Sequence, residues 1–247
     1  WLTVGFDPAT EAAVVLILFA RLGGVLMLLP AFGDEQVPGP VRLLLALGTT
    51  AALSGLLRPA VLGLADADNP ALPWLLVTEV ATGLAFGTLI RTFFHAITMA
   101  GSVISLQIGL TSALVFDPAL GGQTPVLGKL VTLGSIVLCL SLGLHHLWFA
   151  ALVQSYSVFP AGAPPNVPDW TTLFVQTLGQ ATLLAVSLSA PFLIYGMLFN
   201  LALGLATRLA PAIQLFFIAQ PLAIGLGFAL LALTAGTIMS TFADQFG

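Results

Sequence analysis

Arg21 and Glu79 are charged side chains set inside long apolar runs, 12–29 and 74–94 respectively. A charge at the centre of a bilayer costs at least ~2.5 kcal/mol, so such residues face protein or a water-filled cavity. Two chemistries suit them. A buried carboxylate and an arginine can form the midplane site of a secondary transporter, where an ion or solute is taken up and released. Alternatively, the carboxylate bonds across a close contact between helices. Glu79, Gly83 and Gly87 recur at i+4 and fall on one helix face. Gly83 and Gly87 form a small-residue pair that admits another helix closely, which favours the packing role.

Other reactive types do not assemble into a site. His95 stands beside Phe93 and Phe94 with no second His, Cys or carboxylate at i+3 or i+4. His145 and His146 are adjacent, about 100° apart on a helix, the wrong spacing for one metal, and read better as part of an interfacial His-His-Leu-Trp belt. Cys139 is the one cysteine, which excludes an intrachain disulfide and a multi-cysteine metal site. No HExxH, GxSxG, P-loop or usefully spaced carboxylate pair is present. The expectation is a protein that is not an enzyme, with no cofactor and no metal.

The elements that hold these residues are those of an integral membrane protein. The 247 residues are 58% hydrophobic and 6% charged, with a mean hydropathy of +1.08, whereas about a quarter of the residues of a soluble domain are charged. Six basic and ten acidic residues are scattered singly, for a formal charge of -4, so there is no basic patch for nucleic acid and no polybasic lipid-binding cluster. Residues 1–10 lack the basic start and small-residue cleavage site of a signal peptide, so the first apolar run is expected to be retained. No Met precedes Trp1, and the start is expected to be trimmed.

Turn-rich loops divide the chain. Run 12–29 is followed by Pro30, Asp34, Glu35, Pro38 and Pro40, and run 41–57 is expected to stop at Arg58-Pro59. An aqueous loop with Asp66, Asp68, Asn69 and Pro70 precedes run 74–94. Run 126–159 is about 50 Å long as a single helix, and run 170–209 about 60 Å, twice the hydrocarbon thickness. Pro191 is expected to kink or break the latter midway, and run 212–242 carries Pro221. The last two runs make a long kinked hairpin. The proline-rich connection 160–169 separates an N-terminal part, 1–159, from this C-terminal part, 170–247. Hydropathy counts about six spans, but runs of this length suit helices that tilt, break or leave the bilayer.

The odd passage is 101–125, where glycines, small hydroxyls, Gln107 and Asp117-Pro118 interrupt a membrane-like sequence. Lipid cannot satisfy free N–H and C=O groups, so irregular backbone at membrane depth needs the shelter of protein or a wet cavity. The passage is expected to line or close an opening, with Asp117 forming a turn with Pro118.

An ordered set of motifs resembles one family. Pro30 with Val37-Pro38 and Arg42, Glu79 with Gly83 and Gly87, Gly101 leading to Gln107-x-Gly109 and Asp117-Pro118, Gly143-x-His145, and Ser155 with Pro160 all fit it. So does the C-terminal run from Asn200-Leu-Ala-Leu-Gly204 through Arg208-x-Ala-Pro211 to Pro221. Together they cover about nine tenths of the chain and resemble the flagellar biosynthetic FliR family, the R/T subunit of the type III secretion export gate. The Asn200 to Pro211 run points to the flagellar rather than the virulence-type branch.

The resemblance implies an all-α membrane protein whose N-terminal part is like a P subunit and whose C-terminal hairpin is like a Q subunit. It implies assembly with P and Q subunits, the B subunit alongside, in the bacterial inner membrane at the flagellar basal body, with part of the core on the periplasmic side. Exported flagellar proteins are the implied cargo, and export energy comes from another subunit. The family's plug-like loop falls on 106–123 here, with Phe116 and Asp117-Pro118 at its heart. A closing device needs apolar bulk, supplied here by Leu106, Leu110, Leu114, Val115 and Phe116. It also needs backbone able to move aside, which Gly101, Gly109, Gly121 and Gly122 can provide. Arg21, Glu79, Gly83, Gly87, Asn200 and Arg208 are assigned to helix packing. One departure is visible: Ala212 follows Pro211 where the family has glutamine, and Gln214 comes two later. The alternative from another class is the secondary transporter with its midplane site near Glu79 and Arg21.

Overall fold

A computed structural model describes residues 7–33, 37–66, 68–110, 114–117, 122–163, 167–209 and 215–244, with backbone alone for 114–117, 122–124 and 215–217. Helix α1 spans Pro8–Leu26, α2 Gly39–Val61 with a 3-10 turn at Leu62–Leu64, and α3 Leu72–Ile108. Strands β1, Leu114–Asp117, and β2, Gly122–Pro125, form an antiparallel ribbon. Helices α4, Val126–Ser141, α5, His145–Val158, α6, Val167–Leu209, and α7, Leu215–Asp244, complete the chain. Five helices among the described residues are long and apolar enough to cross a membrane, or six if α4 and α5 count as one broken span. The protein is therefore a helical membrane protein, with one short ribbon among the described residues.

Several boundaries differ from the sequence expectation. Helix α3 runs on for 37 residues to Ile108, straight through Gly101. Its hydroxyls do not break it because they bond back into the helix: Ser102 Oγ donates to Thr98 O at 2.9 Å and Thr98 Oγ1 to Phe94 O at 3.0 Å. The run 126–159 is two helices, not one, because α4 ends at a left-handed glycine, Gly143, at φ 72°. There Leu144 N–H donates to Cys139 O at 2.9 Å and Gly143 N–H to Leu140 O at 3.2 Å, the paired bonds of a Schellman end. Helix α2 continues past Arg58-Pro59 to Val61. Pro59 removes one hydrogen bond near the helix end and leaves the rest intact. Helix α6 passes through Pro191 unbroken for 43 residues, about 65 Å. Pro211, Ala212 and Gln214 lie outside the described residues.

The chain forms two compact units, one of Trp1–Thr92 with His145–Thr177 and one of Phe93–Leu144 with Leu178–Gly247. In the first, Asp7 caps α1 by accepting from Ala9 N–H at 3.2 Å and from the Thr10 hydroxyl at 2.6 Å. The Thr10 hydroxyl and then the Ala9 N–H hold the Asp7 carboxyl below the usual range. Arg58 donates through Nε to Glu11 at 3.1 Å and so ties the end of α2 to the first turn of α1. Val14, Ile17, Leu18, Leu22 and Val25 of α1 are buried. Phe86, Phe159 and Trp170 close an aromatic cluster with centroids 4.7 to 5.5 Å apart.

The second unit joins α3 to α4 through two glycines. A Cβ on Gly101 would lie 2.7 Å from Gly128 Cα, and Thr98 and Thr132 share a hydrogen bond of 2.7 Å nearby. Gly101 is thus a close-packing residue inside a helix. Phe94 meets Phe242 edge-on at 5.4 Å, and Tyr195 OH of α6 donates to Ala223 O of α7 at 2.7 Å.

Helices α1 and α3 meet at a seam without room for side chains. A Cβ on Gly83 would collide with the Arg21 carbonyl oxygen, one on Gly87 would lie 2.8 Å from Leu28 Cβ, and one on Gly24 3.2 Å from Val80 O. Gly48 on α2 has nothing within 4 Å of such an atom. Gly83→Ala should therefore destabilise the folded chain by about 1–3 kcal/mol through overpacking, while Gly48→Ala should be neutral or stabilise by up to about 1 kcal/mol through helix propensity. Thermal midpoints of the two variants in one detergent check the contrast.

Candidate functional site

The charged centre lies within the first unit. Arg21 and Glu79 are each 1% exposed and meet as a two-point pair, with Nε donating to Oε2 at 2.7 Å and Nη2 to Oε1 at 2.9 Å. The α1–α3 glycine seam positions them: with Gly83 against the Arg21 backbone, Glu79 sits one turn away on the same face of α3. The second terminal nitrogen, Nη1, donates to Phe159 O at 2.9 Å and to Ser155 Oγ at 3.4 Å. Gly162 N–H donates to Glu79 Oε1 at 3.3 Å. The guanidinium carbon lies 4.0 Å from the centroid of the Tyr156 ring, a cation–π contact.

Both carboxylate oxygens and all three guanidinium nitrogens are therefore engaged by groups of this chain. A buried charge pair is tolerable only when its remaining donors and acceptors are satisfied in this way. The arrangement staples α1, α3, α5 and the loop after α5 together. A cavity of about 400 Å³ in the same unit is lined by Ala81, Thr82, Ala85, Val167, Trp170, Thr171, Phe174 and Val175, an apolar wall that includes neither charge. The sequence did not single out Tyr156, the Phe159 carbonyl or Gly162. Their one advance signal was that Arg21, placed mid-run, needed acceptors from somewhere.

The second candidate lies in the other unit, where α3 gives way to the ribbon. Gly109 ends α3 in the left-handed region at φ 89°. Gly109 N–H donates to Leu106 O at 3.2 Å and Leu110 N–H to Ser105 O at 2.9 Å, the same Schellman end as in α4. Leu106 stands on α3 and is 59% exposed, whereas Leu110 is half-buried. Leu114, Val115, Phe116 and Asp117 form β1, paired respectively with Pro125, Thr124, Gln123 and Gly122 of β2. Pro118 and Gly121 lie outside the described residues. A two-stranded ribbon is marginal on its own even in water, and its free edges have no partner in lipid. This stretch therefore requires shelter.

Asn200 and Arg208, assigned to packing, are exposed on the C-terminal half of α6. Large apolar side chains are exposed around them, among them Leu198, Leu201, Leu205 and Leu209. Sequence reasoning also passed over Gln220 on α7, whose Nε2 donates to Gly109 O at 3.0 Å.

Comparison with known proteins gives a consistent answer. The model of the family described as bacterial export proteins, family 1, matches residues 12–247. The flagellar biosynthetic protein FliR of Caulobacter vibrioides is 35% identical over 241 residues, covering 98% of this chain and 96% of that one. That of Escherichia coli is 30% identical over 94% of this chain and 84% of its own. The Yop proteins translocation protein T of Yersinia pestis is 28% identical over 91% and 86%.

Replacing one member of the ion pair leaves the other buried and unpaired, which costs about 3–5 kcal/mol. Arg21→Met and Glu79→Leu should each lower the yield of folded chain sharply. The double variant should recover much of that loss, because an apolar pair of similar volume carries no stranded charge. Folded yield and thermal midpoint of the three variants in detergent check the order.

Proposed function

Since the chain belongs to the family 1 bacterial export proteins, we propose that it is the R/T-type subunit of a flagellar type III export gate, and that its 106–123 segment closes the conduit. It is a component of an export apparatus with several apolar helices, which suits an inner-membrane flagellar protein. In this reading it assembles with P-like and Q-like subunits and with a B subunit beside them. Unfolded flagellar proteins are the cargo. Residues 1–159 take the P-like role and 170–247 the Q-like one, with part of the core on the periplasmic side.

The observation that carries the reading is the ribbon after α3, the one strand pair among the described residues of an otherwise helical, apolar chain. The outer edges of a two-stranded ribbon call for protein around them in an apolar medium. Leu110, Leu114, Val115 and Phe116 give it apolar bulk to exclude water, and Gly109 and Gly122 flank them. Further support comes from α2 and the C-terminal half of α6, whose exposed leucines suit partner helices and lipid. Asn200 and Arg208 are polar positions on that α6 face and would meet such partners.

Removal of residues 109–121 should leave the assembled complex able to form but make cells leak small ions and solutes. Membrane conductance, read beside the amount of complex recovered, checks this; an unchanged conductance with normal assembly contradicts the gate.

A further inference from the structure

The carbonyl of Gly109 points out of the end of α3, beyond the two bonds that close the helix. Its acceptor capacity is met by Gln220, a residue 111 positions later on α7. The fit is close: a Cβ on Gly109 would collide with the Gln220 amide nitrogen. Gly109 is thus required twice, for its left-handed backbone and for the approach of that amide. Neighbouring contacts repeat the pattern. Gln107 Oε1 lies against Gly196 of α6, where a Cβ would collide with it, and Ile108 Cγ1 would be 2.5 Å from a Cβ on Gly227 of α7. The end of α3 is therefore held by three side-chain-to-glycine contacts with α6 and α7, and the one from Gln220 is a hydrogen bond to the first residue of the turn.

Gln220 itself is well anchored. It precedes Pro221, and Tyr195 of α6 bonds to Ala223 O just beyond, so the hairpin is fastened at this level.

We propose that Gln220 is a positioning residue for the gate: its amide, held by the α6–α7 hairpin, donates to the Gly109 carbonyl and fixes where the gate segment leaves α3. The proposal rests on the gate reading above. Loss of the donor frees the turn at Gly109 and Leu110 without unfolding α3, because the two Schellman bonds and the Ser105 hydroxyl, 3.4 Å from Leu110 O, remain.

The test uses the complete apparatus in cells, with Leu110→Cys as reporter in a Cys139→Ala background and a membrane-impermeant maleimide as probe. Gln220→Met and Gln220→Leu keep an apolar side chain of similar bulk and remove the donor. Each should raise the labelling rate at position 110 roughly two- to tenfold, the population change that one net hydrogen bond gives, with unchanged recovery of the complex. Gln220→His, which offers an Nε2–H at similar reach, should bring the rate back to within about twofold of the parent. Unchanged labelling in the Met and Leu variants overturns the proposal. So does a raised rate that histidine leaves high, which makes the contact one of packing, or loss of the complex in both variants, which makes Gln220 a folding residue. Deleting 109–121 is measured in parallel: leakage there with no labelling response leaves the gate standing and removes Gln220 from it. A labelling response with no leakage from the deletion keeps the positioning of the turn and removes the gate.

Discussion

Hydrocarbon offers no hydrogen-bond partner, and this constraint organises the molecule. A helix meets it by satisfying its own backbone, which is why nearly every described element is helical. A charge meets it only inside a complete shell, as Arg21 and Glu79 do with Ser155, Phe159, Gly162 and the face of Tyr156. A ribbon cannot meet it alone. The β1–β2 ribbon therefore needs protein around it in an apolar medium.

The two units answer the constraint with the same device. Small residues bring backbones close enough for polar groups to find one another: Gly83 and Gly24 set α1 on α3 and so deliver Arg21 to Glu79, while Gly101 on Gly128 sets α3 on α4 beside the Thr98–Thr132 bond. Dispersion at these seams and the bonds they permit replace the hydrophobic drive that lipid removes. The same logic brings Gln220 to Gly109.

Much of the fold was legible because apolar runs ended in proline, glycine or acidic turns, as at Pro30 and around Asp66. What misled was local chemistry with a non-local use. The glycines and hydroxyls from 101 to 105 looked like a break, yet they continue α3, since the Ser102 hydroxyl bonds back one turn to Thr98 O and Gly101 is spent on a helix contact. Gly143, without a proline beside it, gave no hint that α4 stops there. The charges at 21 and 79 were visible as residues in need of partners, but Ser155 and Phe159 lie 134 and 138 positions from Arg21. Nothing near Gln220 links it to a turn 111 residues earlier.

The proposed gate would put the segment after α3 in the path of the exported chain. A photo-crosslinker at Leu110 in an apparatus holding a stalled export substrate tests this, with one at Leu183, 71% exposed on α6, as the control. Adducts with the substrate from position 110 and none from 183 are expected. An apparatus that exports normally yet gives no adduct at 110 would contradict the account.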